Sequence, residues 1–108
     1  MNFAFEDREN LYLVIDLMQG GDLRYHLAKH KKFNEEQTRF FIACMLQALE
    51  YLHQKSILHR DIKPENIIVT LDDERVPVVK LIDFNISQNF EKDHILSQAG
   101  TKAFMAPE

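Results

Sequence analysis

The chain has 108 residues, of which 45% are hydrophobic, so it can form one small domain with a modest core. Its net charge is -4 and its 13 basic residues are scattered, which argues against binding to nucleic acid or membranes through a basic patch. No apolar run reaches the roughly 18 residues of a membrane span. The single cysteine, Cys44, excludes an internal disulfide, and without a Cys/His cluster structural zinc is not expected, so an intracellular, most simply cytoplasmic, protein is predicted.

The first part of the chain predicts two strands and a short helix. Residues 3 to 5 form a strand fragment, and the apolar run LYLVIDLM at residues 11 to 18 predicts a buried strand. Gly20 and Gly21 end this strand, and the following DLRYHLAKH predicts a short helix.

A longer helix is predicted to begin after Asn34. The Asn34 side chain can accept hydrogen bonds from the free N–H groups of the first turn, and Gln37 completes a capping-box pattern. Apolar residues recur at helical spacing on one face: Phe41, Met45, Ala48, Leu49 and Leu52. Cys44 and His53 lie beside this stripe and are interpreted as packing residues, since neither has a chemical partner nearby in sequence.

Beyond Lys55 the sequence predicts three short strands, SILHR, NIIVT and VVKLID, with the polar segment LDDERVP connecting the last two. Periodicity then disappears from residue 84 to residue 108. A segment of this length without regular structure is usually functional or disordered.

Three motifs in this half carry chemical groups at suggestive positions: HRDIKPEN at 59 to 66, LIDFN at 81 to 85 and GTKAFMAPE at 100 to 108. Taken alone, HRDIKPEN is also compatible with a charged surface turn. In order and spacing, however, the three motifs resemble the catalytic loop, the metal-binding motif and the end of the activation segment of eukaryotic protein kinases.

The resemblance implies an α+β, protein-kinase-like fold, of which the chain represents the middle part. Residues 1 to 18 would be small-lobe strands and the hinge, and residues 19 to 108 would run from the start of the large lobe through the activation segment. No glycine-rich phosphate loop or strand lysine precedes these residues in the sequence, so the resemblance covers well under half of a kinase domain.

The same resemblance implies ATP and Mg²⁺ as cofactors. Asp61 would accept the proton of the substrate hydroxyl and orient it, and Lys63 would reach the transferring phosphate. Asn66 and Asp83 would supply oxygen ligands to Mg²⁺.

An adenine pocket is implied between the strand at 11 to 18 and the strand NIIVT, which follows HRDIKPEN. Ile15 would guard its back, the carbonyl of Asp16 and the N–H of Met18 would pair with adenine, and Ile68 would form its floor. Asp22 would meet the ribose or a basic substrate residue, although an acid that favours the helix N-terminus is an equal alternative.

Two further pairs have implied roles in organising the site. His59 and Phe84 resemble members of the apolar column that links the two lobes of active kinases. Arg60 would pair with a phosphate on Ser97, a regulatory position that could equally be a plain loop serine. Gln88 stands where a second basic residue often helps, which would weaken such a phosphate pocket.

The substrate class is implied by Lys63 and Thr101, which resemble those of serine/threonine kinases, so the expected partner is a protein with a Ser or Thr acceptor. Thr101 and Glu65 would contact this substrate, and Glu65 suggests tolerance for basic residues near the target, unless it is only a solvated loop residue. GGDLRYHL, DFN and GTKAFMAPE together are most similar to the YANK family, near the AGC group.

Asn85 departs from the glycine that kinases usually have after Asp-Phe. Asparagine tolerates positive φ better than most residues, so activity is still expected. The rival interpretations are a non-catalytic kinase-like module used for binding or scaffolding, and a truncated product without function alone. A scaffold has no need of Asp61, Lys63, Asn66 and Asp83 together.

Overall fold

Two helices and three small antiparallel sheets form the described part of the chain, residues 2–92 and 98–107, in a computed structural model. The helices are α1 (Leu23–His30) and α2 (Glu35–Gln54). The strands are β1 (Phe3–Glu6), β2 (Leu11–Val14), β3 (Ile57–Leu58), β4 (Ile67–Leu71), β5 (Pro77–Leu81) and β6 (Gln88–Asn89). Single 3₁₀ turns occur at Pro64–Asn66 and Lys102–Phe104. The predicted α+β class is confirmed.

The N-terminal hairpin pairs β1 with β2, with Phe3 opposite Val14. The prediction of a buried strand over residues 11 to 18 is wrong in both length and burial, because β2 ends at Val14 and Leu11 and Leu13 are 68% and 57% exposed. Within the described residues β2 is paired on one edge only. An apolar run predicts a strand that other residues must bury, and here the residues that would bury it are not among those described.

Both predicted helix starts are confirmed by their caps. Asp22 Oδ1 accepts a hydrogen bond from the Tyr25 N–H at 2.6 Å ahead of α1. Ahead of α2, Asn34 Oδ1 accepts from the Gln37 N–H at 2.8 Å, and Gln37 Oε1 accepts from the Asn34 N–H at 3.1 Å. These bonds satisfy donors that a helix leaves free in its first turn.

The core lies where α1, α2 and the β4–β5 sheet meet, around Leu23, Met45 and Ile67. Partly buried apolar residues pack against it: Phe33, Phe41, Ile62, Val69, Val79 and Leu81. The predicted apolar stripe of α2 is buried or half-buried throughout, as is Cys44. His53 is exposed, so its interpretation as a packing residue is wrong; it stands in the last turn of α2.

The three strands predicted for the second half are present: β4 has the predicted length, shifted by one residue, and β3 and β5 are shorter than predicted. SILHR contributes only β3, and VVKLID ends as a strand at Leu81. Asp72 closes the β4–β5 turn, since its Oδ1 accepts from the N–H groups of Glu74 and Val76 at 3.0 and 2.8 Å. β6 was not predicted; it is two polar residues long and pairs with β3. No helix among the described residues combines the length and apolar character needed to cross a membrane.

Candidate active site

The loop between β3 and β4 holds Asp61 and Lys63 as an ion pair. Lys63 Nζ lies 2.6 Å from Asp61 Oδ2, and the two side chains are 21% and 11% exposed respectively. Thr101, forty residues further along, joins them: its hydroxyl donates to Asp61 Oδ1 at 2.7 Å and accepts from Lys63 Nζ at 3.0 Å. The Thr101 N–H also donates to Asp61 Oδ1 at 2.8 Å. The first and third sequence motifs therefore meet at a single carboxylate.

This network fixes the protonation states of both ionic groups. Hydrogen bonds from Lys63 and from the Thr101 hydroxyl hold the pKa of Asp61 well below its ordinary value. The same bond to Asp61 raises the pKa of Lys63. Asp61 is thus a carboxylate and Lys63 a cation at neutral pH.

Asn66 is 4% exposed, and its side chain stabilises the loop from the interior. Its Nδ2 donates to the backbone oxygen of Asp61 at 2.9 Å and to Asp61 Oδ2 at 3.1 Å. Because the amide nitrogen is used in this way, the amide oxygen remains as the group that could bind a cation. The Ile82 N–H donates to the backbone oxygen of Asn66 at 2.9 Å, which places Asp83 close behind Asn66.

Asn66 and Asp83 together fit a magnesium ion. One offers a neutral amide oxygen and the other an exposed carboxylate, and Mg²⁺ prefers a few hard oxygen ligands from protein, with water and phosphate completing its shell. Within residues 2–92 and 98–107 no cluster of three or more His, Cys, Asp or Glu offers a dedicated metal cage.

His59 connects the loop to the motif around Asp83. The ring is 2% exposed, with Nε2 at 2.9 Å from the Ile82 oxygen and Nδ1 at 3.3 Å from the Asp61 N–H. A carbonyl oxygen can only accept, so Nε2 donates in the contact with Ile82. Its edge meets the ring of Phe84 at 4.8 Å between centroids and 68° between planes. His59 and Phe84 are thus in contact with each other, and their membership of a column that links two lobes stays a prediction.

The positive φ expected at Asn85 is found two residues earlier. Asp83 has φ 64°, whereas Asn85 is not among the residues of positive φ in the described chain. The conformational argument for Asn85 is therefore wrong: a short polar side chain that tolerates this region is required at Asp83 itself. The Asn85 N–H points back to Asp83 Oδ1 at the long distance of 3.4 Å.

Arg60 has φ 69° and donates from Nε to the Ile86 oxygen at 2.6 Å. Its backbone oxygen is packed against Gly100, where φ is 121° and any Cβ would overlap that oxygen. Arg60 thereby ties the loop to two later segments. Ser97 lies outside the described residues, so the predicted pairing of Arg60 with a phosphate there stays a prediction; Gln88 lies half-buried in β6.

A cleft of about 550 Å³ opens beside this loop. Four of the predicted cofactor residues line it: Ile15, Asp16, Met18 and Ile68. Leu17, Ile82 and Asp83 complete the lining. Leu17 and Ile82 were missed, although both adjoin predicted residues within the same apolar runs. Ile15 and Leu17 are 67% and 82% exposed, so the cleft is open on the side of residues 15 to 18.

Asp22 does not line the cleft. It caps α1 and forms an antiparallel bridge with Ile68, so the geometry favours its interpretation as a helix-starting acid. Glu65 is half-buried, and its Oε2 is shielded from water without a hydrogen-bond partner among the described residues. The alternative that Glu65 is merely a solvated loop residue is therefore wrong.

Comparisons with known proteins agree with the motifs. The family model described as "Protein kinase domain" matches residues 1–108. Human Serine/threonine-protein kinase 32C is 44% identical over 98% of this chain and 21% of its own length, and human Serine/threonine-protein kinase 32B is 44% identical over 98% and 25%. Human Beta-adrenergic receptor kinase 1 is 38% identical over 100% of this chain and 15% of its own length. The predicted resemblance to YANK-type kinases is confirmed, and the chain spans at most about a quarter of these relatives.

Proposed function

The chain belongs to the protein kinase domain family, and from that membership we propose that the protein transfers the γ-phosphoryl group of ATP to a serine or threonine hydroxyl of a protein substrate. The observation that carries this proposal is the Asp61 carboxylate held between Lys63 and Thr101, with Asn66 behind it and Asp83 at the edge of the cleft. Phosphoryl transfer needs positioning and charge neutralisation more than covalent chemistry, and these groups supply both.

The nucleotide would enter the cleft lined by Ile15, Met18 and Ile68, whose apolar side chains suit the faces of an adenine ring. The backbone of Asp16 and Met18 offers the polar partners for its edge. Asp83 lies on the same cleft, so the phosphates would extend toward it. The Asn66 amide oxygen and the Asp83 carboxylate would hold Mg²⁺, which supplies charge neutralisation to the phosphates when bound.

The acceptor hydroxyl would approach Asp61. Its carboxylate can accept the hydrogen of that hydroxyl and aim the oxygen, and its low pKa keeps it ionised for this purpose. Lys63 is a compact cation within reach of the same point and would share its charge with the moving phosphoryl group.

The substrate class rests on two features of the site. Thr101 joins Asp61 to Lys63, and the relatives with the 44% matches carry names of serine/threonine kinases. Glu65 adds a preference: it lies half-buried two residues after Lys63 in the same loop, and its negative charge there would favour a substrate with a basic residue near the target. A scaffold would need the cleft and the exposed surfaces, whereas the Asp61–Lys63–Thr101 network has no evident use in binding alone.

The test uses a complete kinase domain that carries this chain, with two single variants. In Asp61→Asn we expect the turnover to fall by about 10²- to 10⁴-fold while the affinity for ATP is kept. In Asp83→Asn we expect Mg²⁺-dependent ATP binding itself to be lost.

Asp73→Asn is the matched control, since Asp73 is an exposed acid in the β4–β5 turn away from the cleft. The measurements are steady-state phosphorylation of a basic protein substrate and ATP binding by calorimetry. Equal loss of ATP affinity in the Asp61 and Asp83 variants would contradict the assigned roles. Wild-type binding without transfer would favour the scaffold.

A further inference from the structure

The segment that leaves the cleft wall turns sharply into α1 at Gly20 and Gly21. Gly20 lies so close to β4 that a Cβ there would overlap the Val69 carbonyl. The Val69 N–H donates to the Gly21 oxygen at 2.9 Å, and the Asp22–Ile68 bridge follows directly. The backbone after the wall is thus fixed against the strand that carries the cleft floor.

His26 makes a contact across this turn that the phosphoryl-transfer roles do not explain. Its Nε2 lies 2.7 Å from the Gly20 carbonyl oxygen, six residues back, and the side chain is half-buried. A carbonyl can only accept, so Nε2 carries the hydrogen. The ring is held by its neighbours on α1: it meets Tyr25 edge-on at 5.4 Å between centroids and lies parallel to His30 at 6.4 Å.

Among the described residues, the cleft wall (residues 15 to 18) has few other restraints. Asn2 Nδ2 donates to Asp16 Oδ1 at 2.9 Å, an exposed bond on the upstream side. Leu17 is 82% exposed, and so has little packing of its own. The position of residues 15 to 18 therefore depends on the contacts that hold the chain after residue 18. One of these contacts is the hydrogen bond to the Gly20 carbonyl oxygen.

We propose that His26 is a positioning residue for the nucleotide: by holding the Gly20 carbonyl it sets where Met18 and Leu17 stand against Ile68. The inference rests on the proposed function, because it assigns to His26 an effect on ATP binding. Among the described residues no hydrogen bond joins His26 to Asp61 or Lys63, so its loss should alter the cleft wall and leave the Asp61–Lys63 pair in place. The expected signature is a higher KM for ATP at an unchanged kcat.

The experiment compares three variants in a complete kinase domain that carries this chain. His26→Phe keeps a planar ring and removes the donor; we expect the KM for ATP to rise about three- to tenfold, the range for losing one ordinary hydrogen bond, with kcat within about twofold. His26→Gln restores a nitrogen donor at a similar reach and should return KM to within about twofold of wild type. His53→Phe alters an exposed histidine in the last turn of α2, which is not part of this contact, and should leave both constants unchanged.

The outcomes separate this inference from the proposed function. A wild-type domain that neither binds ATP nor transfers phosphate overturns the proposed function. A wild-type domain that does both, with an unchanged KM in His26→Phe, overturns only the role of His26. If His26→Gln is as impaired as His26→Phe, or if kcat falls with KM unchanged, the contact merely supports the helix and the inference is also overturned. Should His26→Phe fail to fold, His26→Asn, which is too short to reach Gly20, replaces it under the same criteria.

Discussion

The two ends of the candidate site differ in how completely the described residues build them. At the acceptor end, His59 and Asn66 are 2% and 4% exposed, and Asp61 receives hydrogen bonds from residues both near and forty positions away in the chain. At the nucleotide end, Ile15 and Leu17 are 67% and 82% exposed. A bare apolar wall of this kind marks a surface that another part of a protein or a ligand covers. The acceptor end is held by contacts among the described residues, whereas the nucleotide end needs a ligand or another part of a protein to bury its apolar side chains.

The largest effect that this difference predicts is the inactivity of the 108-residue chain by itself. Its acceptor end is formed, but its open wall offers ATP only part of an enclosure, so we expect no measurable transfer. The assay is radiolabelled ATP with a generic basic protein substrate. A complete kinase domain carrying the same residues is the control. Robust Mg²⁺-dependent transfer by the purified 108-residue chain would show that the nucleotide end needs no cover.

The sequence predicted the acceptor end well because its chemistry is local. HRDIKPEN places Asp61, Lys63 and Asn66 within one loop, and the structure brings the three side chains into contact. Helix caps such as the one at Asn34 were predictable for the same reason, since they involve residues three positions apart.

The features that the sequence did not predict depend on distant partners. Thr101 was expected to contact substrate, and its side chain in the described chain forms hydrogen bonds with Asp61 and Lys63. No local sequence pattern predicts a hydrogen bond between residues forty positions apart. β6 exists because β3 pairs with it, although its two polar residues have no strand propensity of their own. The burial of residues 11 to 18 was wrong because an apolar run does not say which chain covers it.

The second largest effect tests whether the acceptor end is the self-contained unit described above. Thr101→Val removes the hydroxyl that joins Asp61 to Lys63 while keeping the branched shape. Hydrogen bonds to charged groups contribute about 1.5–3 kcal/mol each, so we expect kcat to fall roughly ten- to a hundredfold. Thr101→Ser keeps the hydroxyl and is the matched control, expected within about threefold of wild type. The KM for ATP should stay unchanged in both; a rise in KM that matches the fall in kcat would mean that the two ends are not independent.

A smaller effect concerns acid stability, and it follows from the depressed pKa of Asp61. A carboxylate whose pKa is lowered in the folded state stabilises that state above its unfolded pKa of about 3.9, and this contribution is lost as pH falls toward the folded pKa. The melting temperature of the wild-type domain should therefore decline relative to Asp61→Asn as pH falls from about 5 to about 2. Asp73→Asn, at an exposed turn position, serves as the control and should track the wild type more closely. Parallel curves for wild type and Asp61→Asn would show that Lys63 and Thr101 do not hold the carboxylate ionised in solution.

The smallest effect is expected at Asn85, which stands at the boundary between the two ends. Asn85→Gly should change kcat and the KM for ATP by no more than about threefold, because Asn85 is exposed, is not at positive φ, and keeps its N–H toward Asp83 when it becomes glycine. The main cost of the glycine is the added backbone freedom. Asn85→Ala does not add this freedom, so it measures the loss of the side chain alone. If both variants collapse in activity, the Asn85 amide makes a contact that Asp83 requires, and the acceptor end then extends one residue beyond the Asp-Phe pair. If only the glycine variant is impaired, both ends of the site depend on a rigid backbone after Asp83.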